Sequence, residues 1–177
     1  MLGCVALGFT TQGQQIIHLK NPSFEMNREA KSGEAPVHWV DMGPEFESPP
    51  DIQPGSFSVK TPAVHGNYYL GMVVRDNSTF ESIGQSLNGK LLKDSLYSFS
   101  AALARSDLYI SLSRATGQQT NFSDACVLQI IGTNTKNKQS ELLAETTPVE
   151  HTGWKNYRFQ LRPQSGDYDY LQLKVFY

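Results

Sequence analysis

The stretch "YLQLKVFY", Tyr170–Tyr177, decides the fold. Leu171, Leu173, Val175 and Tyr177 fall on every second position and oppose Gln172, Lys174 and Phe176. Successive side chains of an extended strand point to opposite faces, so a period of two with one apolar face marks a strand lying on a core. The same period runs through "YSFSAALA" (97–104), where Tyr97, Phe99, Ala101 and Leu103 share a face, and through "YRFQLRP" (157–163), where Tyr157, Phe159 and Leu161 do. "YYLGMVVR" (68–75), "FESIGQSL" (80–87), "LYISLS" (108–113) and "CVLQIIG" (126–132) read as strands too. Ile16–Leu19 and a short segment near Val59 are further candidates.

Between these runs lie polar turn signals, among them "RDNST" (75–79), "RATGQQTNFSD" (114–124), "TNTKNKQ" (133–139) and "PQSGDYD" (163–169). No segment sustains a helical period; "SELLAE" (140–145) and "NGKLLKD" (88–94) are each read as a helical turn at most. Many strands joined by polar turns predict an all-β, antiparallel jelly-roll β-sandwich, not a parallel α/β sheet. Trp39 to Pro62 is rich in Pro, Gly, Ser and acids and reads as one long ordered loop of the kind that carries function.

At 177 residues the chain is long enough for one well-buried domain. A formal charge of −2 gives no electrostatic reason to bind nucleic acid or an anionic membrane. Leu2 to Phe9 is apolar apart from its glycines, and Thr10 to Gln15 is small and polar. Residues 1–15 therefore resemble the end of a secretory signal peptide whose basic region is expected ahead of Met1, which leaves 16–177 as a single domain. An ordinary first strand is the other reading. The run is too short to span a bilayer. Export to the periplasm, cell surface or medium is the expected setting. "MLGC" resembles a lipoprotein acylation box at Cys4; Cys126, then alone, reads as a small buried hydrophobe.

The landmarks "NPSFE" (21–25), Trp39, "DIQPGSF" (51–57), "HGNYYLGMVVRDNSTFESIGQSL" (65–87), "LYSFSAALARSDLYISLS" (96–113), "CVLQIIG" (126–132), "ELLAETTPVEHTGWKNYRFQL" (141–161) and "YDYLQLKVFY" (168–177) come in a fixed order. In that order they resemble the galactose-binding-like, carbohydrate-binding-module-like jelly-roll domains of secreted and cell-envelope proteins of Bacteroidota. The resemblance implies the jelly-roll fold and a structural Ca²⁺ with Glu25 as one ligand. Ca²⁺ takes six to eight oxygens, to which an edge carboxylate can add. The aspartate pair expected in the last strand is missing from "LQLKVFY".

No nucleophile elbow, zinc-protease helix, P-loop or dinucleotide fingerprint is present, and His18, His38, His65 and His151 lack metal-ligand spacing. Glu45, Glu47, Asp51, Asp76 and Glu81 are the acids from which a facing carboxylate pair would have to come, and sequence does not say which of them face one another. Two strand ends, "VVRDNSTFE" (73–81) and "ALARSDLY" (102–109), each join an Arg and an Asp to a nearby aromatic. Sugars are bound by aromatic faces together with Arg, Asp and Asn that read hydroxyls. Arg75, Asp76, Asn77, Arg105 and Asp107 are the candidate polar readers, with Trp39, Phe80, Tyr109 and Trp154 as candidate platforms. The competing readings are internal salt bridges for the Arg–Asp pairs and core packing for the tryptophans. The expected function is a non-catalytic binding module for carbohydrate, not an enzyme. The alternative is a protein-interaction or assembly subunit of an outer-membrane or secretion complex.

Overall fold

The computed structural model describes residues 15–26 and 33–177. The expected signal segment, with Cys4, lies outside the described residues apart from Gln15. Eleven strands and no helix make up the described chain, so no helix is long and apolar enough to cross a membrane. They are β1 (Val40–Asp41), β2 (Asp51–Gln53), β3 (Tyr69–Gly71), β4 (Ser82–Leu91), β5 (Tyr97–Leu103), β6 (Ile110–Leu112), β7 (Gln119–Asn121), β8 (Val127–Thr133), β9 (Ser140–Glu145), β10 (Lys155–Leu161) and β11 (Tyr168–Phe176). Every pairing is antiparallel.

The alternating stretch that opened the reading forms β11, the central strand of a five-stranded sheet in the order β1-β4-β11-β8-β9. Leu171, Leu173 and Val175 of β11 are buried, as the period of two requires. Strand β5 pairs with β10 from Lys155↔Leu103 to Leu161↔Tyr97 without a slip. Phe159 and Leu161 of β10 pack into the same core as Ile83 of β4, Ile130 of β8 and Leu171 of β11. Two short pairs, β2–β3 and β6–β7, are added outside these sheets. Beside them Val59, Val73 and Tyr109 form a second, smaller core.

Local expectations differ from the structure in four places. "SELLAE" is strand β9, paired along β8 with a bulge near Ile130. Six residues cannot repay the cost of starting a helix alone, whereas the open edge of β8 offers ready backbone partners. "NGKL" (88–91) continues β4, with Gly89 at a φ of 133°. Residues 16–19 form no strand. Instead the buried Gln85 amide accepts from Lys20 N–H at 2.9 Å and donates to Lys20 C=O at 3.1 Å, doing the work of a strand neighbour. The expected loop from Trp39 to Pro62 contains β1 and β2, and Val59 sits in a turn.

"NPSFE" closes on itself and on two distant loops. The Asn21 side chain accepts from Glu25 N–H at 2.8 Å and donates to Glu25 C=O at 3.0 Å, with Asn21 at a φ of 47°. Asparagine tolerates that left-handed conformation better than most residues. The Glu25 carboxylate accepts from Asn67 N–H at 3.0 Å and Tyr68 N–H at 3.3 Å. Gly66 is required here: its φ is 69°, and a β-carbon would lie 2.0 Å from Glu25 Oε1.

A second carboxylate clasp fixes the entry to β11. Glu141 accepts from Tyr168 O–H at 2.6 Å, Ser165 N–H at 2.9 Å and Gln164 N–H at 3.0 Å. Partial desolvation raises its pKa, but those hydrogen bonds outweigh it and hold the carboxyl below its usual range. A depressed folded-state pKa contributes stability above the unfolded value, near 4.5, and loses it as pH falls through the folded value. Glu141→Gln is therefore expected to unfold at lower urea than the native chain at pH 7. The gap should narrow as pH falls below about 4.5, measured by urea midpoints across pH; a gap independent of pH would refute the clasp.

Candidate functional site

Strand β2 is three residues long and entirely buried, with Asp51 2 % and Gln53 1 % exposed. It pairs with β3 as Asp51↔Gly71, Ile52↔Leu70 and Gln53↔Tyr69. Alternation places Asp51 and Gln53 on one face and Ile52 on the other. Beyond β3 the chain makes a tight turn, with Arg75 N–H on Thr79 C=O at 2.9 Å and Ser78 at a φ of 64°. That turn brings Glu81 back beneath Val73, whose N–H donates to Glu81 Oε2 at 3.0 Å.

One guanidinium organises the acids this hairpin buries. Arg75 Nη2 donates to Glu81 Oε1 in a very short contact and to Ser48 Oγ at 2.9 Å. Arg75 Nη1 lies 3.8 Å from Glu47 Oε2, which Arg114 Nη1 approaches at 3.2 Å. Asp51 accepts from Gly33 N–H at 2.9 Å and from Tyr109 O–H at 2.5 Å. Burial pushes the Glu81 carboxyl up to about 8, against the pull of Arg75 and helped by repulsion from Asp51. Burial also raises Asp51, opposed by the hydrogen bonds of Tyr109 and Gly33 and by the charge of Arg75. Burial and the neighbouring Asp51 raise the Tyr109 phenol far above its ordinary range, so it stays protonated. The arrangement can hold a proton on a buried acid near neutral pH.

Tyr109 links this cluster to a cavity of about 180 Å³ whose wall includes Gln53, Tyr69, Val73, Phe122 and Trp154. The wall is mostly apolar and aromatic. The Trp154 and Tyr69 rings meet edge to face at 4.9 Å, and Phe57 stacks on Tyr109 at 4.8 Å. Cys126 also faces the cavity as a free thiol whose pKa burial raises, which is the inert, hydrophobe-like state expected for it.

The residues picked as sugar readers are committed elsewhere. Arg75 pairs with Glu81 and not with its neighbour Asp76, which accepts from Ser113 O–H. Asn77 caps its own turn, accepting from Thr79 N–H at 3.1 Å and Thr79 O–H at 2.7 Å. Arg105 donates to Glu150 C=O at 3.0 Å and Ser123 C=O at 2.8 Å, and Asp107 lies 3.5 Å from it. Arg105 lies on the cavity wall and Arg75 does not, so the two do not converge on one groove. Trp39 is a core plug, 5 % exposed, donating to Asn21 C=O at 3.1 Å. Phe80 lies under Lys174 Nζ at 4.0 Å. Of the platforms, Tyr109 and Trp154 reach the cavity. Glu25, the expected calcium ligand, is engaged through Oε1, which accepts from Asn67 and Tyr68 N–H. No group of three or more His, Cys, Asp or Glu suited to a metal occurs among the described residues.

No protein-family model and no curated protein matches this sequence. Solved structures do. The chain is similar to a cyclase from Fischerella sp. TAU at 14 % identity and a TM-score of 0.55, covering 90 % of this chain and 85 % of that one. It is similar to the same organism's cyclase in complex with 4-(1H-indol-3-yl)butan-2-one at 13 % identity and a TM-score of 0.56, covering 91 % and 87 %. It is also similar to the Stig cyclase Fisc in complex with (3Z)-3-(1-methyl-2-pyrrolidinylidene)-3H-indole, at 13 % identity and a TM-score of 0.52, covering 90 % and 86 %. At this identity the likeness is one of fold.

This finding corrects the expected function. The chain was expected to be a non-catalytic binding or assembly module and not an enzyme, but the solved structures that share its fold are cyclases, two of them holding small molecules. Motifs of consecutive residues are absent, and which of the scattered acids face one another is not readable from sequence. Here the chemistry-bearing groups come from Asp51, Arg75, Glu81 and Tyr109, which only the β2–β3 pairing and the 73–81 hairpin bring together. Asp51 and Glu81 were named among the scattered acids; Gln53 lies in the landmark "DIQPGSF" (51–57) but was not named as a site residue. The available signal was "DIQ", an apolar residue between two polar ones inside an otherwise loop-like stretch.

A raised folded-state pKa contributes stability that is present below the unfolded value and lost as pH rises through the folded one. For Glu81 that window runs from about 4.5 to about 8. Glu81→Gln is expected to give a shallower decline of stability across this window than the native chain, with Asp51 supplying the remaining slope. Urea midpoints at intervals between these limits check it; an unchanged slope would show that Glu81 does not titrate there.

Proposed function

We propose that this chain is an enzyme of the cyclase kind, which takes a small, ring-bearing apolar molecule into the cavity and promotes its ring closure by proton transfer. We read the architecture as a jelly-roll sandwich, supported by the shared core between the five-stranded sheet and the β5–β10 pair. The observation that carries the functional reading is that the buried acid cluster meets the cavity through one side chain, Tyr109.

An apolar cavity of roughly 150 Å³ accommodates benzene, so about 180 Å³ suits one small ring system. With Asp51 protonated, its O–H donates to the Tyr109 oxygen while the phenol proton passes to a π bond of the substrate. Protonation leaves an electron-poor carbon, which a second π bond of the same molecule attacks to close the ring. The product then returns a proton through the phenol to the Asp51 carboxylate, so the change is an isomerisation with no net gain or loss of atoms. Tyr69, Phe122 and Trp154 supply the ring faces that stabilise a passing positive charge.

The test has two parts. Calorimetry with 4-(1H-indol-3-yl)butan-2-one is expected to show saturable binding that Val149→Trp, which fills the cavity, removes. Chromatography of alkene-bearing indoles after incubation is expected to reveal a ring-closed isomer of unchanged mass. Asp51→Asn and Tyr109→Phe should slow its formation by about 100-fold or more, the usual contribution of a positioned acid. Absence of both binding and isomer would overturn the reading, as would full turnover by Tyr109→Phe.

A further inference from the structure

Gln53 sits where the β2–β3 pair meets the cavity. Its side chain is 1 % exposed and forms part of the wall. The amide orientation is fixed, because Gln53 Oε1 accepts from Ser56 N–H at 3.2 Å. Reversing the amide would set two N–H groups against each other. The NH₂ is therefore turned away from Ser56, and Gln53 Nε2 is fully buried with no hydrogen-bond partner among the described residues. Buried donors are nearly always satisfied, so an orphan of this kind needs a reason.

The surroundings supply one. Other donors of the wall are committed to the protein: Tyr69 O–H to Thr61 C=O at 3.0 Å, Trp154 Nε1–H to Pro62 C=O at 2.9 Å, and Ser106 O–H to Leu108 C=O at 2.7 Å. Arg105 is bound to two backbone carbonyls, and Tyr109 shares its hydrogen bond with Asp51, the acid whose proton it relays in the reading above, so neither is a free neutral donor for a resting ligand acceptor. The chain also makes room for the glutamine: a β-carbon at Gly71, opposite in β3, would come within 2.9 Å of Gln53 Cγ. A buried, neutral, oriented donor suits a neutral acceptor. An anion is disfavoured, since Asp51, Glu81 and Glu47 lie behind this wall with one buried guanidinium among them.

We infer that Gln53 recognises a neutral hydrogen-bond acceptor, a ketone, amide or imine, carried by the ligand that fills the cavity. This rests on the cavity being the ligand site as proposed above and adds the class of molecule it selects. Gln53 acts by choosing and orienting the ligand; it transfers no proton.

The experiment compares 4-(1H-indol-3-yl)butan-2-one with 3-butylindole, the same skeleton without the carbonyl, by calorimetry on the native chain and on Gln53→Leu. The ratio of ketone to alkane affinity is expected to fall roughly tenfold in the variant, the size of one net hydrogen bond. Binding of 3-butylindole should hold or tighten. Gly71→Ala, which displaces Gln53 but keeps its amide, should lower the same ratio, and it serves where Gln53→Leu fails to fold. An unchanged ratio in the variants would overturn the role of Gln53 and leave the cavity standing. Binding of neither compound by the native chain would remove the cavity reading and this inference together.

Discussion

The polar interior depends on the guanidinium of Arg75. It stands at the base of the 73–81 turn and answers Glu81 directly, Glu47 at longer range and Asp51 through space. Without it three carboxylates would face one another in a region that water does not reach. Removing one partner of a buried pair costs about 3–5 kcal/mol, because the group left behind keeps its charge and loses its solvation. Arg114 answers Glu47 from the rim, and burial, helped by repulsion from Asp51, keeps a proton on Glu81 near neutrality against the pull of Arg75.

Rigid elements hold this arrangement in place. β11, flanked by β4 on one side and β8 on the other, carries the buried Leu171, Leu173 and Val175. The short β2–β3 pair has no such reserve and is held by side chains instead. Phe57 and Ser58 both adopt left-handed backbone conformations, at φ of 52° and 68°. Such residues persist where their surroundings compel them. Here the Phe57 ring stacks on Tyr109 and the Phe57 carbonyl accepts from Ile110 N–H at 2.8 Å. The strain is repaid by fixing the phenol that links the acids to the cavity.

How much of this was legible in the sequence follows from the range of the interactions. Period-two runs such as 97–103, 157–161 and 171–175 report burial on one face, a local property, and they placed the main strands. "SELLAE" failed because its conformation is set by β8, and six residues carry no period long enough to oppose it. The candidate site was less legible still. The Arg–Asp neighbours drew attention because adjacent opposite charges suggest pairing, yet Arg75 crosses its turn to Glu81 and Asp76 reaches Ser113. Asp51 and Tyr109 are 58 positions apart, and nothing local to either records their contact. Tyr109 and Trp154, chosen as aromatic platforms, both line the cavity, while the sugar expected to stack on them belonged to a functional reading that the shared fold with cyclases overturns.

That error has a physical root. A sugar site needs aromatic faces together with polar side chains free to meet many hydroxyls. In this chain the faces are present, but Arg105, Trp154 and Tyr69 have given their hydrogen bonds to backbone carbonyls. A wall of ring faces with most of its donors given to the protein suits an apolar guest and disfavours a polar, hydrated one. The same aromatic residues that made the sequence resemble a sugar-binding module therefore argue, once their hydrogen bonds are traced, for an apolar guest.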